Sequence, residues 1–269
     1  MRRTGPASLA LVVAWVVCPA SSHGQEVSVI DGITFASEPG VLYVPIKEIG
    51  YRLGWGMRSE KKAFFVDERQ VTIPRTLPDG TKLIRYENLA HLGLVLPDDT
   101  AGEERTILAG GIEIVVRQSE KRVVINKKEQ LLRAFQGDRV VLETRVSTGR
   151  RGYTTPSGTW AAGPEKSRLR YSRKYDNAPM PWAVQVTGGY FMHGYTSVPK
   201  RPASHGCIRL PLWGVNPAKW LWHWIDLGTP VTIADDWAED DGMSASAKKP
   251  ASGPETIPVS DRTRVRKRP

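Results

Sequence analysis

Residues 121–148 read KRVVINKKEQLLRAFQGDRVVLETRVST, and apolar side chains recur there at every second place in short runs. The runs Arg122–Asn126, Gln130–Phe135 and Arg139–Val146 show this alternation, with Lys127-Lys128 and Gly137-Asp138 at the breaks between them. A period of two sends successive side chains to opposite faces of a strand and does not suit a helix, whose repeat is 3.6 residues. Breaks of that composition are hairpin turns. The same pattern continues downstream. TTPSGTW (154–160) is a Pro- and Gly-punctuated loop entering a strand, and WAVQV (182–186), GYFMH (189–193) and PVTI (230–233) are further strands. One helix interrupts them, NPAKWLWHWIDLG, with Asn216 as N-cap, Pro217 at the first helical position and Gly228 at its end. Residues 121–234 are therefore expected to form a mostly β domain with one main helix.

Residues 26–117 mix the two periods. VLYVP (41–45) reads as a strand running into an amphipathic helix, IKEIGYRLG, that stops at Gly54. AFFV (63–66) and RQVTI (69–73) are strands about a tight turn, KLIRYENLAHLGL repeats the strand-to-helix order, and IEIVV (112–116) closes the set. A small α+β domain is expected here.

The two ends differ from both. MRRTGPASLALVVAWVVCPASSHGQ has a basic start, nine apolar residues (Leu9–Val17) and a small, polar exit. That order is the pattern of an export signal, expected over residues 1–24 with cleavage after Gly24 or Ala20. Nine residues fall far short of the roughly 20 that span a bilayer as a helix, so no transmembrane helix is expected in the mature chain. Beyond Ala234 the acidic cluster Asp235, Asp236, Glu239, Asp240 and Asp241 gives way to a Ser/Ala/Lys/Pro stretch and a basic end, so residues 235–269 are expected to be a disordered tail. The formal charge of +10 does not imply nucleic acid, because the basic residues are dispersed or terminal and no recognition motif accompanies them.

Of the two cysteines, Cys18 leaves with the signal, and Cys207 then stands alone in a compartment that favours disulfides. Its neighbourhood is RPASHGCIRLP (201–211). A thiol at its ordinary pKa of about 8.5 is a poor nucleophile at neutral pH until an imidazole takes its proton. Two histidines qualify. If residues 205–207 are extended, His205 shares a side with Cys207. If they turn at Gly206, backbone N–H groups are freed toward an oxyanion and His193, at the end of the strand GYFMH, meets the thiol across the sheet. A zinc site from His193, His205 and Cys207 is disfavoured because His-x-Cys is not a usual ligand spacing, and no metal or cofactor is expected.

The segment MHGYTSVPKRPASHGCIRLP closely resembles the signature of the L,D-transpeptidase catalytic domain (YkuD-like family), and VSTGRRGYTTPSGTW and LGTPVTI resemble its upstream and closing blocks. The resemblance covers about residues 121–234 and implies a YkuD-like β-sandwich. It also implies that Cys207 is the nucleophile, His193 the general base, and Gly194 the carbonyl that orients it. Gly206 and Cys207 N–H groups would form the oxyanion hole, with Ser204 and His205 supporting the site and Arg209 fixing the loop or binding a substrate carboxylate. The loop between His193 and Ser204 is slightly short for the family and carries Lys200-Arg201. The implied substrates are peptidoglycan tetrapeptide stems. The acceptor would be another stem, water (an L,D-carboxypeptidase outcome), or a lysine-bearing envelope protein, in the periplasm or cell wall, and carbapenems would acylate the thiol. The rival is a non-catalytic wall-binding protein. Residues 26–117 resemble the copper amine oxidase N-terminal-like domain, through LYVPIKEIGYRLGW and the strand pair after it. No copper site follows, because His91 is the only histidine between residues 26 and 117.

Overall fold

In the computed structural model, which describes residues 28–61, 63–97 and 102–238, the period-two segments become strands. The expected signal (1–24) and the tail from 239 onward lie outside the described residues. The first part runs β1 (Ser28–Phe35), β2 (Glu38–Pro45), α1 (Ile46–Leu53), β3 (Met57–Glu60), β4 (Ala63–Val66), β5 (Arg69–Val71), β6 (Arg75–Thr76), β7 (Lys82–Arg85), a 3-10 turn (Tyr86–Leu92), β8 (Glu104–Ala109) and β9 (Ile112–Gln118). Its main sheet has the order β6-β7-β2-β1-β9-β8, with β3-β4-β5 as a separate small sheet. Helix α1 ends as its sequence requires, with Gly54 in the left-handed region at φ 67° and its N–H closed on the Gly50 carbonyl. The second expected helix is only the 3-10 turn. Its buried residues, Tyr86 and Leu89, are three apart, which matches the threefold repeat of a 3-10 turn and not a helical stripe.

The second part runs β10 (Lys121–Asn126), β11 (Leu131–Gln136), β12 (Arg139–Arg145), β13 (Gly158–Ala161), β14 (Lys166–Ser172), β15 (Ala178–Thr187), β16 (Tyr190–Tyr195), β17 (Ile208–Pro211), α2 (Pro217–Trp224) and β18 (Pro230–Ala234). Two sheets, β12-β11-β10-β18-β13 and β14-β15-β16-β17, form the expected mostly β sandwich with one main helix. Val123, Ile125, Leu132 and Val231 from the first sheet share a buried core with Val184, Met192, Ile208 and Leu210 from the second. Strand β14, which the sequence did not mark, alternates polar and apolar residues and is the open edge of the second sheet.

Helix α2 begins as expected, with the Asn216 side chain accepting the Lys219 N–H at 3.0 Å and Pro217 in the first turn. It ends at Trp224, four residues before Gly228, because its last carbonyls have partners from elsewhere. The Ser37 N–H donates to the His223 carbonyl (3.0 Å), the Ala36 N–H (3.3 Å) and Lys121 Nζ (2.7 Å) to that of Trp224, and Lys166 Nζ to that of Ile225 (2.7 Å). Orphan carbonyls at a helix C-terminus need such partners, and here two of them come from the β1–β2 turn.

That turn joins the two parts into one core. Ile33, Phe35, Tyr43, Leu77 and Leu83 belong to the same buried cluster as the sandwich. The Phe35 ring meets Tyr43 and Trp220 edge-on at 5.5 and 5.8 Å. Gln136, fully buried, satisfies its amide across the junction. Its Oε1 accepts from the Thr34 N–H (3.1 Å) and Trp224 Nε1 (3.2 Å), and its Nε2 donates to Thr34 Oγ1 (3.0 Å) and the Ser119 carbonyl (3.2 Å). An amide buried with all its capacity used is specific to one docking geometry. The start of the expected tail is also held: Asp235 pairs with Lys127 (3.2 Å), Asp236 with Lys128 (3.3 Å), and Trp237 Nε1 donates to Glu129 (2.9 Å).

Because the core is shared, residues 28–238 are expected to unfold in a single urea transition, with tryptophan fluorescence and far-UV circular dichroism coincident. Phe35→Ala should destabilise both parts together by about 3–5 kcal/mol. Two separated transitions would contradict the shared core.

Candidate active site

Strands β16 and β17 pair in parallel, Met192 with Ile208 and His193 with Arg209. Parallel neighbours cannot be joined by a tight turn, so about a dozen residues must cross over between them. That crossover carries the Ser204–Cys207 stretch. Three contacts from the VSTG segment pin it. The Thr148 carbonyl accepts from the Ala203 and Ser204 N–H groups, both at 2.9 Å, and the Arg150 N–H donates to the Ser204 carbonyl at 3.1 Å. Ser147 exchanges both backbone bonds with Arg209 at 3.0 Å, and its Oγ donates to the Arg201 carbonyl at 2.8 Å. Gln130 in turn holds Thr148 through both ends of its amide, at 2.8 and 2.7 Å.

Glycines make this close layering possible. A Cβ on Gly149 would lie 1.8 Å from the Tyr153 carbonyl oxygen and 2.9 Å from Gly206 Cα. Gly206 has φ 113° and sits against the Tyr190 ring. Thr155 ties the two together, its Oγ1 accepting from the Gly149 N–H (2.8 Å) and donating to the Gly206 carbonyl (2.6 Å). Residues 205–207 are therefore turned and not extended, so His205 does not share a strand face with Cys207. Its ring instead stacks on Tyr175 at 4.5 Å and meets Tyr153 edge-on at 4.9 Å.

Cys207 follows that turn. It packs with Phe191, Met180 and Ala183, and the Phe191 N–H hydrogen-bonds its sulfur. The left-handed backbone of Trp182, φ 57°, interrupts the alternation of β15, so Met180 and Ala183 both reach this cluster while Trp182 packs on Trp222 of α2. Phe191 and His193 are two apart on β16 and face the same side. The structure therefore brings His193 to the face that holds the thiol. His193 is buried, and its Nδ1 lies 2.9 Å from the Gly194 carbonyl, an acceptor that fixes the proton on Nδ1 and leaves Nε2 as the basic nitrogen. A Cβ on Gly194 would lie 2.3 Å from Leu212 Cδ2, so the strand approaches the layer behind it as only glycine allows.

Ser204 accepts the Gly206 N–H at 3.0 Å and donates to the Cys207 carbonyl at 2.5 Å. This corrects one expectation: the Gly206 N–H is already bound within the loop and is not free for an oxyanion. Burial pushes the Cys207 thiol above its ordinary pKa, opposed by the Phe191 N–H and by Arg170 and Arg209. Burial also lowers His193 to about 4, opposed by the Gly194 carbonyl and reinforced by Arg209. The resting pair is thus a neutral thiol and a neutral imidazole. The thiol lies 3.8 Å from the Gly189 carbonyl oxygen.

Sequence reasoning missed the supporting residues Gln130, Ser147, Thr148 and Thr155, the Phe191–Met180 wall and Arg170. The VSTG and TPSG blocks were the available signal for Ser147, Thr148 and Thr155, and Gln130 lies outside both.

Comparison with protein families matches the model of the YkuD L,D-transpeptidase catalytic domain to residues 120–233. That match does not extend over residues 26–117, whose likeness to the copper amine oxidase N-terminal-like domain rests on its motifs. No curated protein matches the chain. Among solved structures, the chain is 29% identical to an L,D-transpeptidase from Stackebrandtia nassauensis over 44% of this chain and 56% of that one, with a TM-score of 0.38. It is 29% identical to an L,D-transpeptidase from Xylanimonas cellulosilytica over 44% of this chain and 61% of that one, also at 0.38. An L,D-transpeptidase from Mycobacterium smegmatis matches at 16% identity over 79% of this chain and 96% of that one, at 0.38. The chain spans less than two thirds of the first two. Residues 120–233 are thus similar to the catalytic domain of the L,D-transpeptidase (YkuD) family.

Proposed function

We propose that the protein is an exported L,D-transpeptidase acting on peptidoglycan tetrapeptide stems, with Cys207 as nucleophile and His193 as general base. The observation that carries this reading is the thiol packed against Phe191 on the face of β16 that also presents a neutral, Nδ1-protonated imidazole, inside the segment that matches the family. The export pattern of residues 1–24 and the wall-acting family support a site of action outside the cytoplasm.

The chemistry follows from the protonation states. A neutral thiol attacks only as its proton leaves, so His193 Nε2 takes that proton while sulfur bonds to the carbonyl carbon of the diaminopimelate–D-alanine bond. The Cys207 N–H faces the developing oxyanion, since Ser204 occupies that of Gly206. Collapse of the tetrahedral intermediate breaks the C–N bond, the imidazolium gives its proton to the departing amine, and D-alanine leaves behind a thioester. An amine from a second stem then attacks the thioester and loses a proton to His193. The sulfur departs and is reprotonated, which completes a 3→3 cross-link. Water in place of the amine gives a tripeptide, and a protein lysine gives wall anchoring. Burial keeps the imidazole unprotonated down to about pH 4 at the cost of basicity, so proton transfer from the thiol is coupled to attack on the carbonyl and does not precede it.

Incubation with purified muropeptides, read by mass spectrometry, should yield D-alanine with new cross-linked dimers or tripeptides. Cys207→Ala should abolish both, and His193→Gln should lower turnover by at least about a hundredfold. Binding of muropeptides without release of D-alanine would favour a wall-binding protein instead.

His193 also sets a pH signature of stability. Its folded value of about 4 lies below the ordinary 6.5, so between those pH values the unfolded chain binds a proton that the folded chain does not. Stability should therefore fall as pH drops from 6.5 to 4, by on the order of 3 kcal/mol in total. Urea midpoints of the wild type and of His193→Gln should diverge in that window, with the variant losing less. Parallel curves would place the histidine in water.

A further inference from the structure

The turn between β10 and β11 is far in sequence from the Ser204–Cys207 stretch, yet a run of hydrogen bonds joins them. Gln130 in that turn and Thr148 are both buried. Gln130 Oε1 accepts the Thr148 N–H at 2.8 Å, and its Nε2 donates to Thr148 Oγ1 at 2.7 Å and to the Lys127 carbonyl. The Thr148 carbonyl takes the N–H groups of Ala203 and Ser204, and Ser204 Oγ donates to the Cys207 carbonyl. The same turn touches the neighbouring layer: Lys127 Nζ donates to the carbonyl of Thr155 at 3.5 Å, and Thr155 in turn holds Gly149 and Gly206. Gln130 does this from an unfavourable backbone. Its φ of 54° lies in the left-handed region, where Gly, Asn and Asp are the usual residues. Asparagine would suit that backbone better, but its amide is a methylene shorter. A strained residue that uses both amide N–H groups on partners points to a demand for the side chain and not for the turn.

We propose that Gln130 is a positioning residue for the nucleophile, acting through Thr148 and Ser204 on the loop that carries Cys207. This rests on the transpeptidase reading and deepens it with a residue outside the VSTG, TPSG and SHGC blocks. Without the amide, the Thr148 N–H would lose its acceptor in a buried place. The Thr148 peptide would then turn toward other partners, and the Ala203 and Ser204 N–H groups bonded to its carbonyl would move with it. The proposed chemistry is sensitive to such a shift. A neutral thiol gives up its proton to a neutral imidazole only as the sulfur attacks, so both distances must be right at once. A displacement of about 1 Å is enough to lower a rate about a hundredfold. The core contacts of β10 and β11 are made by Val123, Ile125, Leu132 and Ala134 and not by this amide, so fold and rate can be separated by experiment.

The test compares the wild type with Gln130→Met, Thr148→Val and the double variant. Methionine keeps the length of the side chain and the same backbone strain, and removes only the amide. D-alanine release from a synthetic tetrapeptide stem is followed in single turnover with protein in excess, where the maximal rate constant does not depend on any misfolded fraction. Gln130→Met should lower that rate constant about tenfold to a hundredfold. The double variant should be slower than Gln130→Met by no more than about twofold, since both changes cut one relay. In parallel, iodoacetamide should alkylate Cys207 at least about threefold faster in Gln130→Met, as located by peptide mass spectrometry, because a loop released from Thr148 exposes the thiol and relieves the burial that keeps it protonated. An unchanged maximal rate, losses that multiply in the double variant, or alkylation at the wild-type rate would each overturn the positioning role. Were the wild type to release no D-alanine, the transpeptidase reading would fall, while the alkylation rates would still decide whether Gln130 places the thiol.

Discussion

The parallel pairing of β16 with β17 is the constraint from which the rest of the site follows. Parallel strands forbid a short connection, and the long crossover they impose must be held against the sheet by something other than its own hydrogen bonds. Here the backbone of Ser147–Arg150 supplies them, and the layering is so close that Gly149 and Gly206 have no room for side chains. A thiol carried on such a loop is positioned by backbone bonds on two sides. The sulfur therefore sits at a defined point of the β16 face, next to Phe191 and two residues from His193.

Burial then sets the electrostatics. Both members of the pair are kept neutral at rest, because charging either in a desolvated pocket is costly. The surrounding guanidiniums do not reverse this, yet they favour negative charge on the sulfur and on any oxyanion that forms beside it. The arrangement stores no ion pair in the ground state, and the stabilisation it offers appears only as the thiol ionises, which is what the proposed reaction requires.

Behind the site, the two parts of the chain are a single folded body in physical terms. The C-terminal carbonyls of α2 are closed by backbone N–H groups of the β1–β2 turn, and the Gln136 amide is satisfied from both parts. Since Ala218 of α2, together with Leu212 after β17, backs Gly194, the first part of the chain supports, at one remove, the strand that carries His193. The observed shared core makes the amino-terminal part a structural component and not a loosely tethered module.

The strands β10, β11 and β12, the start of α2 and the αL stop of α1 were legible in the residues, because each follows from a local rule of alternation, capping or backbone freedom. The lone thiol of the mature chain and the two histidines near it were legible too, as rare residue types in a dense motif. Three features were not. Strand β14 was hidden because an edge strand with one side in solvent buries little, and α2 stops early because its carbonyls find partners more than a hundred residues away. Gly206 loses its N–H to Ser204, a bond that depends on how the loop turns. Local sequence determined which groups this chain carries and where its strands begin. Which histidine shares a face with the thiol, which amides stay free, and which arginines gather round the sulfur were decided by strand pairing alone, because those relations join residues that no local rule connects.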